Sequence, residues 1–292
     1  MPSFEQCVLR ELREVGLPHA AVCGAAQVAD CRIQEFALPF PPRSVAFVAL
    51  PYGGGPGRVA RYARGRDYHR VLPELLEGAA ERLAPQFPQL RCRGYADISP
   101  YHEVEAAARA GLGVRLRNGL LYVEGCGTYC LIGELVMDRP PDGEEGVRPL
   151  ESPCRDCGRC VAACPSGALE RGFAHCLSGV TQQRRELTAE ERELIRRTGS
   201  IWGCDVCQQV CPLNLERPGE EDPDLSELSG LSDRQFRKKY ADRAFSYRGI
   251  RPLLRNIALV EGGEESCSAD DSPGTARSAV KDGRCPARRE KR

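Results

Sequence analysis

The sequence predicts an α+β protein: an N-terminal α/β domain over residues 1–140, a cysteine-rich domain over 150–218, a short helical segment over 224–262 and a disordered tail over 263–292. Three observations predict it. Short apolar, strand-like runs are interleaved with amphipathic stripes up to about residue 137. Tightly spaced cysteines are confined to the stretch from Cys154 to Cys211. A proline- and acid-rich stretch, Arg139 to Pro149, separates the two as an exposed linker.

Taken in order, Ser3 followed by Gln6 has the pattern of a capping box, and Phe4, Cys7, Val8, Leu12 and Val15 recur at helical spacing until Gly16. Val45 to Leu50 is apolar without a helical stripe and runs into Pro51 and a glycine-rich loop, which reads as a buried strand. Tyr68, Val71, Leu72, Leu75, Leu76, Ala79 and Leu83 form an amphipathic helix in which Pro73 sits early enough to be tolerated. Strands are expected near Arg93 to Asp97, Leu120 to Val123 and Leu131 to Met137, with a helix from His102 to Ala110 closed by Gly111. Beyond the cysteines come a polar helix, Leu187 to Arg197, and two helical patterns, Leu231 to Tyr240 and Gly249 to Val260. The tail has almost no large apolar residue and cannot build a core.

Composition narrows the function. Lysine plus arginine (41) balance aspartate plus glutamate (41), which removes any case for a generic nucleic-acid binder but leaves a local basic patch open. No apolar run approaches the roughly 20 residues of a membrane helix, and the N-terminus has no basic stretch leading into an apolar one, so no membrane association and a cytoplasmic location are expected. Sixteen cysteines in such a chain point to metal or redox chemistry rather than disulfides.

Cys154, Cys157, Cys160 and Cys164, followed by Pro165, have the spacing of the bacterial-ferredoxin run, whose fourth thiolate serves the other of two clusters. The partner run is Cys204, Cys207 and Cys211 before Pro212, one thiolate short, and Cys176 between the runs is the eighth. The crossing rule then assigns Cys154, Cys157, Cys160 and Cys211 to one 4Fe-4S cluster and Cys164, Cys176, Cys204 and Cys207 to the other. Zinc is the alternative, but a four-ligand zinc site on the two Cys-x-x-Cys pairs leaves Cys160, Cys164, Cys176 and Cys211 without a purpose. Cys7, Cys23, Cys31, Cys92, Cys126, Cys130, Cys267 and Cys285 lack such spacing and read as packing or tail residues; only the offset of Cys126 and Cys130 leaves a redox or metal role open. Two clusters move single electrons and do little chemistry alone, so an acceptor is expected, and the N-terminal domain is its candidate site.

Arg64 to His69, Asp97-x-x-Pro100-x-x-Glu103, Arg109 to Gly113, Gly133 to Leu135, the first cysteine run, His175 to Ser178 and Gly203-Cys-Asp-Val-Cys-Gln-Gln-Val-Cys-Pro-Leu-Asn214 occur in one order. In that order they resemble the epoxyqueuosine reductase family over about residues 44 to 260. The resemblance implies cobalamin in the N-terminal α/β domain beside two 4Fe-4S clusters, and reduction of the epoxide of epoxyqueuosine in tRNA to queuosine. It further implies the tRNA anticodon loop as substrate and an external low-potential electron donor. Asp97 is the implied proton donor, which at neutral pH would need a raised pKa; its structural alternative is a cap for the helix beginning near His102. Leu121 and Val123 fall where backbone contacts to cobalamin are implied, and Ser178 and Asp205 where residues face both cluster and corrin. Asp67, Tyr68 and His69 match a motif beside the cofactor cavity, or simply start a helix. Arg184, Arg185, Arg192, Arg196 and Arg197 could meet phosphate, though so polar a helix reads first as a solvated face.

The chain departs from the family pattern at Gly111 to Arg117, where the family usually has Gly-Leu-Gly-Trp-x-Gly-Lys, at Cys176 to Gln183, and at Leu213, where tryptophan is usual. These changes are expected between cofactor and substrate. The usual C-terminal helical repeats are expected to be reduced to about Arg248 to Ala258. The alternative function is a related corrinoid iron-sulfur reductase acting on a small molecule or another corrinoid protein; a ferredoxin-like electron carrier is a third reading, which leaves the first 150 residues unexplained.

Overall fold

The computed structural model describes residues 2–143, 150–155 and 157–262. The capping box forms as expected: Ser3 accepts from the Gln6 N–H, Gln6 returns the bond, and α1 (Phe4–Glu14) follows. β1 (His19–Gly24) leads through a 3-10 segment, Ala25–Cys31, to β2 (Ser44–Pro51). α2 (Arg61–Arg64) and α3 (Tyr68–Leu83) precede β3 (Cys92–Tyr95), α4 (Glu103–Arg109), the hairpin β4 (Val114–Arg115) and β5 (Leu121–Tyr122), and β6 (Cys130–Met137).

The main sheet has the order β1-β2-β6-β3, and every pairing in it is antiparallel. This corrects the α/β expectation for the N-terminal domain: helices cover the sheet without forming right-handed parallel crossovers, and the mixed α+β class describes the chain. The two apolar faces of β2 explain its unbroken hydrophobic run. Ala46 and Val48 meet Leu72, Leu76, Leu83, Phe4 and Leu12 from α3 and α1. Val45, Phe47 and Ala49 meet Tyr101, Ala106, Ala107 and Val28 on the opposite side. A strand covered on both faces has no polar positions to alternate with.

The cysteine region contributes α5 (Arg159–Ala163), α6 (Ala168–Arg171), α7 (Leu177–Thr181), α8 (Ala189–Thr198) and α9 (Val206–Gln209), and then α10 (Asp233–Lys239) and α11 (Ile250–Glu261) close the described chain. Trp202, Phe236, Phe245, Ile250 and Leu253 share a core with Val59 and Ala63, so the C-terminal helices are built onto the start of α2. The beginning of the expected linker is docked: Arg139 lies over the rings of Phe4 and Phe87, and the Phe4 N–H donates to Asp142. The rest of that linker, 144–149, and the tail expected over 263–292, with Cys267 and Cys285, lie outside the described residues. No described helix is long and apolar enough to cross a membrane.

Candidate functional site

The thiols fall into two groups. Cys154, Cys157, Cys160 and Cys211 together line one cavity of about 120 Å³, walled by Leu116, Leu213 and the prolines that flank the runs. Cys160 lies in the field of both Cys211 and Cys154. In the second group, burial pushes Cys204 up to about 11 and Cys207 to about 12, and Cys164 and Cys176 act on both. Cys207 also feels Cys160, so the two groups are neighbours. The return of the chain that brings Cys211 to the first group is made by α9, which packs on α5. Gly203, at φ +72°, permits the turn into Cys204; a Cβ there would lie 2.5 Å from that of Ala60. Burial opposes ionisation of Cys164, but the Leu169 N–H, the Ser166 hydroxyl and further N–H groups outweigh it and hold the thiol below its ordinary range. Among the described residues, no three His, Cys, Asp or Glu side chains close to the spacing of a single metal ion. An iron-sulfur cubane holds its thiolates on the outside of a four-iron core, farther apart than ligands sharing one zinc, and the residues present fit it.

At the end of the sheet where β3 leaves, Asp97 has φ +64°, the one described non-glycine residue with positive φ. The Ile98 N–H donates to the Ala96 carbonyl (2.7 Å), which makes Asp97 the centre of a tight, strained γ-turn. Its N–H donates to Glu103 Oε1 (2.9 Å). Its carboxylate Oδ2 lies 3.3 Å from His69 Nε2, and His69 Nδ1 lies 2.6 Å from Asp67 Oδ1. The hydrogen bond to Asp97 raises the His69 pKa against the opposing effect of burial, with Asp67 adding to the rise. Asp97 therefore does not cap α4: the cap position is His102, and it makes no side-chain cap bond. Asp67 does cap α3, through the His69 N–H, and so serves both the helix and the histidine.

A line of contacts joins this turn to the cysteines. Tyr68 stacks on His69 (4.1 Å between centroids) and meets Tyr62 edge-on (6.4 Å). Gln182 Nε2 donates to the Tyr62 hydroxyl (3.0 Å) and to the Ser178 carbonyl (2.8 Å), and the Tyr247 hydroxyl donates to Gln182 Oε1 (2.6 Å). Asp205, between Cys204 and Cys207, accepts from the Arg61 N–H (2.8 Å) through Oδ2, while its buried Oδ1 has no partner. Burial raises the Asp205 pKa, opposed by the Arg61 N–H and the charges of Arg61 and Arg64. A cavity of about 1000 Å³ opens beside Tyr62 and Tyr68. Arg61, whose N–H holds Asp205, lines that cavity while Asp205 itself does not, and the unpartnered Asp205 acceptor fits an amide-bearing group such as the rim of a corrin.

Two family models match the chain: "4Fe-4S double cluster binding domain" over residues 153–214 and "Epoxyqueuosine reductase QueG, DUF1730" over 36–98. The epoxyqueuosine reductase of Listeria monocytogenes is 32% identical over 246 residues, 75% of this chain and 64% of that protein. That of Synechocystis sp. is 33% identical over 236 residues, 73% of this chain and 80% of the relative. The chain belongs to the epoxyqueuosine reductase family. The solved epoxyqueuosine reductase from Streptococcus thermophilus superposes with a TM-score of 0.74 at 25% identity, over 87% of this chain and 79% of that one. An epoxyqueuosine reductase solved with a tRNA-Tyr epoxyqueuosine-modified stem loop gives 0.71 at 26%, over 87% and 79%. The chain spans 64% of the length of the Listeria relative and of that from Lactococcus garvieae.

Set against the family pattern, two departures meet at the first thiol group. Leu116 and Leu213 line the cavity of that group and make its wall apolar. Leu121 and Val123 are buried in the hairpin region, and the Val123 backbone is spent there: its N–H donates to Gly127, and its carbonyl accepts from Cys126 and Gly127. Cys126 and Cys130 sit in the apolar core, where burial raises both thiols, Cys130 to about 12. The arginines of the polar helix are engaged with the protein: Arg185 forks onto Glu191, Arg184 reaches the Arg248 carbonyl, Arg192 that of Leu187 and Arg197 that of Pro165, and Arg196 pairs with Glu193. Sequence reasoning did not single out Glu103, Tyr62, Gln182 or Tyr247. Glu103 ends the Asp-x-x-Pro-x-x-Glu motif and could have been found there, whereas Tyr247 arrives from a remote segment without a local signal.

Proposed function

We propose that this chain reduces epoxyqueuosine in tRNA to queuosine, using two 4Fe-4S clusters and cobalamin. The observation that carries the reading is the line of contacts from Asp97, through His69, Tyr68, Tyr62 and Gln182, to Ser178, two residues after Cys176, with Asp205 held by the N–H of Arg61 next to Tyr62. In this reading Cys154, Cys157, Cys160 and Cys211 hold one cluster, and Cys164, Cys176, Cys204 and Cys207 the other. Ser178, Asp205 and the Leu121 backbone face the corrin. When bound, cobalamin supplies the reducing centre that takes electrons singly from the clusters, which in turn draw on an external low-potential donor.

Removing an epoxide oxygen takes two electrons and two protons and releases water. Asp97, with 54% of its side chain exposed at the turn, delivers a proton to the oxygen as negative charge develops on it. His69 Nε2, 3.3 Å away, can restore that proton, and Asp67 keeps the ring oriented. The tRNA bound by the solved relative is the stem loop that carries the modified base, and a loop whose base can be splayed outward suits recognition at so open a turn.

The test is anaerobic reconstitution with iron, sulfide and cobalamin, addition of a low-potential reductant and tRNA from cells lacking the reductase, and detection of the queuosine nucleoside by mass spectrometry. Product is expected from the parent chain, with Asp97→Ala lowering the rate by about 10²–10⁴-fold while cluster and cobalamin spectra stay intact. Cobalamin binding without any tRNA product would instead favour a small molecule or another corrinoid protein as the substrate. Failure to bind cobalamin would favour a plain electron carrier.

A further inference from the structure

We propose that Glu103 is a positioning residue, a latch whose carboxylate holds the Asp97 N–H and thereby keeps the strained turn that aims the Asp97 side chain at His69. This rests on the reading of Asp97 as the proton donor. The chain is fastened on both sides of the turn: before it, β3 ends at Tyr95, which pairs with Glu134 of β6. Beyond it, the Pro100 carbonyl accepts from Ile33, Ser99 bonds both to Glu134 and to Tyr101, and the His102 N–H donates to Cys31. Asp97 and Ile98 themselves overhang: both are exposed, Ile98 by 74%. Apart from the Ile98 bond to Ala96, the hydrogen bond from the Asp97 N–H to Glu103 Oε1 (2.9 Å) is the one tie that the backbone of these two residues makes among the described residues. A positive φ at a non-glycine residue persists only while its surroundings impose it, and the group that holds the backbone of this turn from outside it is the Glu103 carboxylate.

The surroundings of Glu103 make that tie sensitive to its charge. Burial raises the Glu103 pKa to about 7, partly offset by the Asp97 N–H, and the Asp97 carboxylate adds to the rise. His69 faces it from α3 and lowers it; Tyr68 on the same helix and Glu134 on β6 feel its charge. On the outer side of α4, Arg109 is taken by Asp30 and Glu105. As pH rises through about 7 the carboxylate forms, and an ionised acceptor holds an N–H more strongly than a neutral one. The simpler role of an acid in the first helical turn, favourable interaction with the helix dipole, would require no contact with Asp97.

The test compares Glu103→Ala with Glu103→Gln, whose amide oxygen can accept the same N–H, in the full chain loaded with clusters and cobalamin. Glu103→Ala should lower kcat for queuosine formation about a hundredfold with KM within about threefold, as expected for a displaced catalytic group. Glu103→Gln should recover at least about tenfold of that loss, and its profile should lack the wild-type rise through about pH 7. A second readout needs no substrate: the His69 imidazole titration, followed by NMR, should move down toward the ordinary histidine value in Glu103→Ala and stay raised in Glu103→Gln. Should the alanine variant not fold, Glu103→Met keeps the length and removes the acceptor. A glutamine variant as slow as the alanine one, or a His69 titration unmoved by Glu103→Ala, would overturn the latch. If Glu103→Ala shifts His69 but Asp97→Asn leaves turnover intact, the latch stands and the proton-donor reading fails.

Discussion

The N-terminal sheet and the cysteine region are held together by different physics. The sheet is packed on both faces by fully buried side chains such as Phe4, Leu12, Phe47, Leu72 and Leu76. In contrast, α5 buries no residue, α6 buries only Ala168 and α9 only Gln208. Unlike α7 and α8, which share an apolar cluster with α11, these three helices beside the thiols have almost no core of their own and, in the proposed reading, depend on cross-links from eight thiolates on two iron cores. The same residue type serves opposite ends in the two regions. Cys23 and Cys92 are driven up to about 12 by burial and behave as small hydrophobes, while Cys164 is pulled below its ordinary range by a nest of N–H groups and a hydroxyl.

The largest effect should come from stripping the iron anaerobically. Amides over 153–176 should lose hydrogen-exchange protection by orders of magnitude while those of β2 and β6 keep theirs; equal loss in both regions would break the contrast. Next, Cys176→Ala should lower bound iron from about eight to about four atoms per chain, whereas Cys23→Ala should leave it unchanged. Leu76→Ala, beneath the sheet, should cost about 2–5 kcal/mol in denaturant unfolding of the N-terminal region without altering the iron content. The smallest effect concerns pH. The raised His69 pKa stabilises the fold most fully below the unfolded value near 6.5, and this is lost as pH rises through the higher folded value. Because His69 is partly exposed and Asp97 more so, His69→Gln should remove no more than about 1 kcal/mol at pH 6, and a larger loss would mean that the bridge holds the fold rather than the site.

Much of the fold was legible where one local signal sufficed: the Ser3 and Gln6 box of α1, the stripe of α3, and the apolar run of β2. The antiparallel sheet order was not, because strand direction is decided by which edges meet and not by any residue within a strand. β1 escaped notice because His19-Ala-Ala-Val-Cys-Gly24 is an edge strand with mostly half-buried positions and no alternation. Of the site, the grouping of the thiols could be read because the spacing of ferredoxin ligands is a geometric rule. The Asp97 turn could not, since its φ, its tie to Glu103 and the approach of Tyr247 to His69 (5.6 Å) are tertiary facts. The wall shared by Leu116 and Leu213 was hidden for a related reason: Leu213 follows Cys211 closely, but Leu116 lies far from every one of the four cysteines in sequence.

The central claim, two iron cubanes feeding one cobalt, is tested most directly by elemental analysis of the anaerobically reconstituted chain after removal of free metal and cobalamin. The expected result is about eight iron atoms and about one cobalt per chain; a chain carrying zinc and free of iron, or one holding iron but no cobalt, would contradict it.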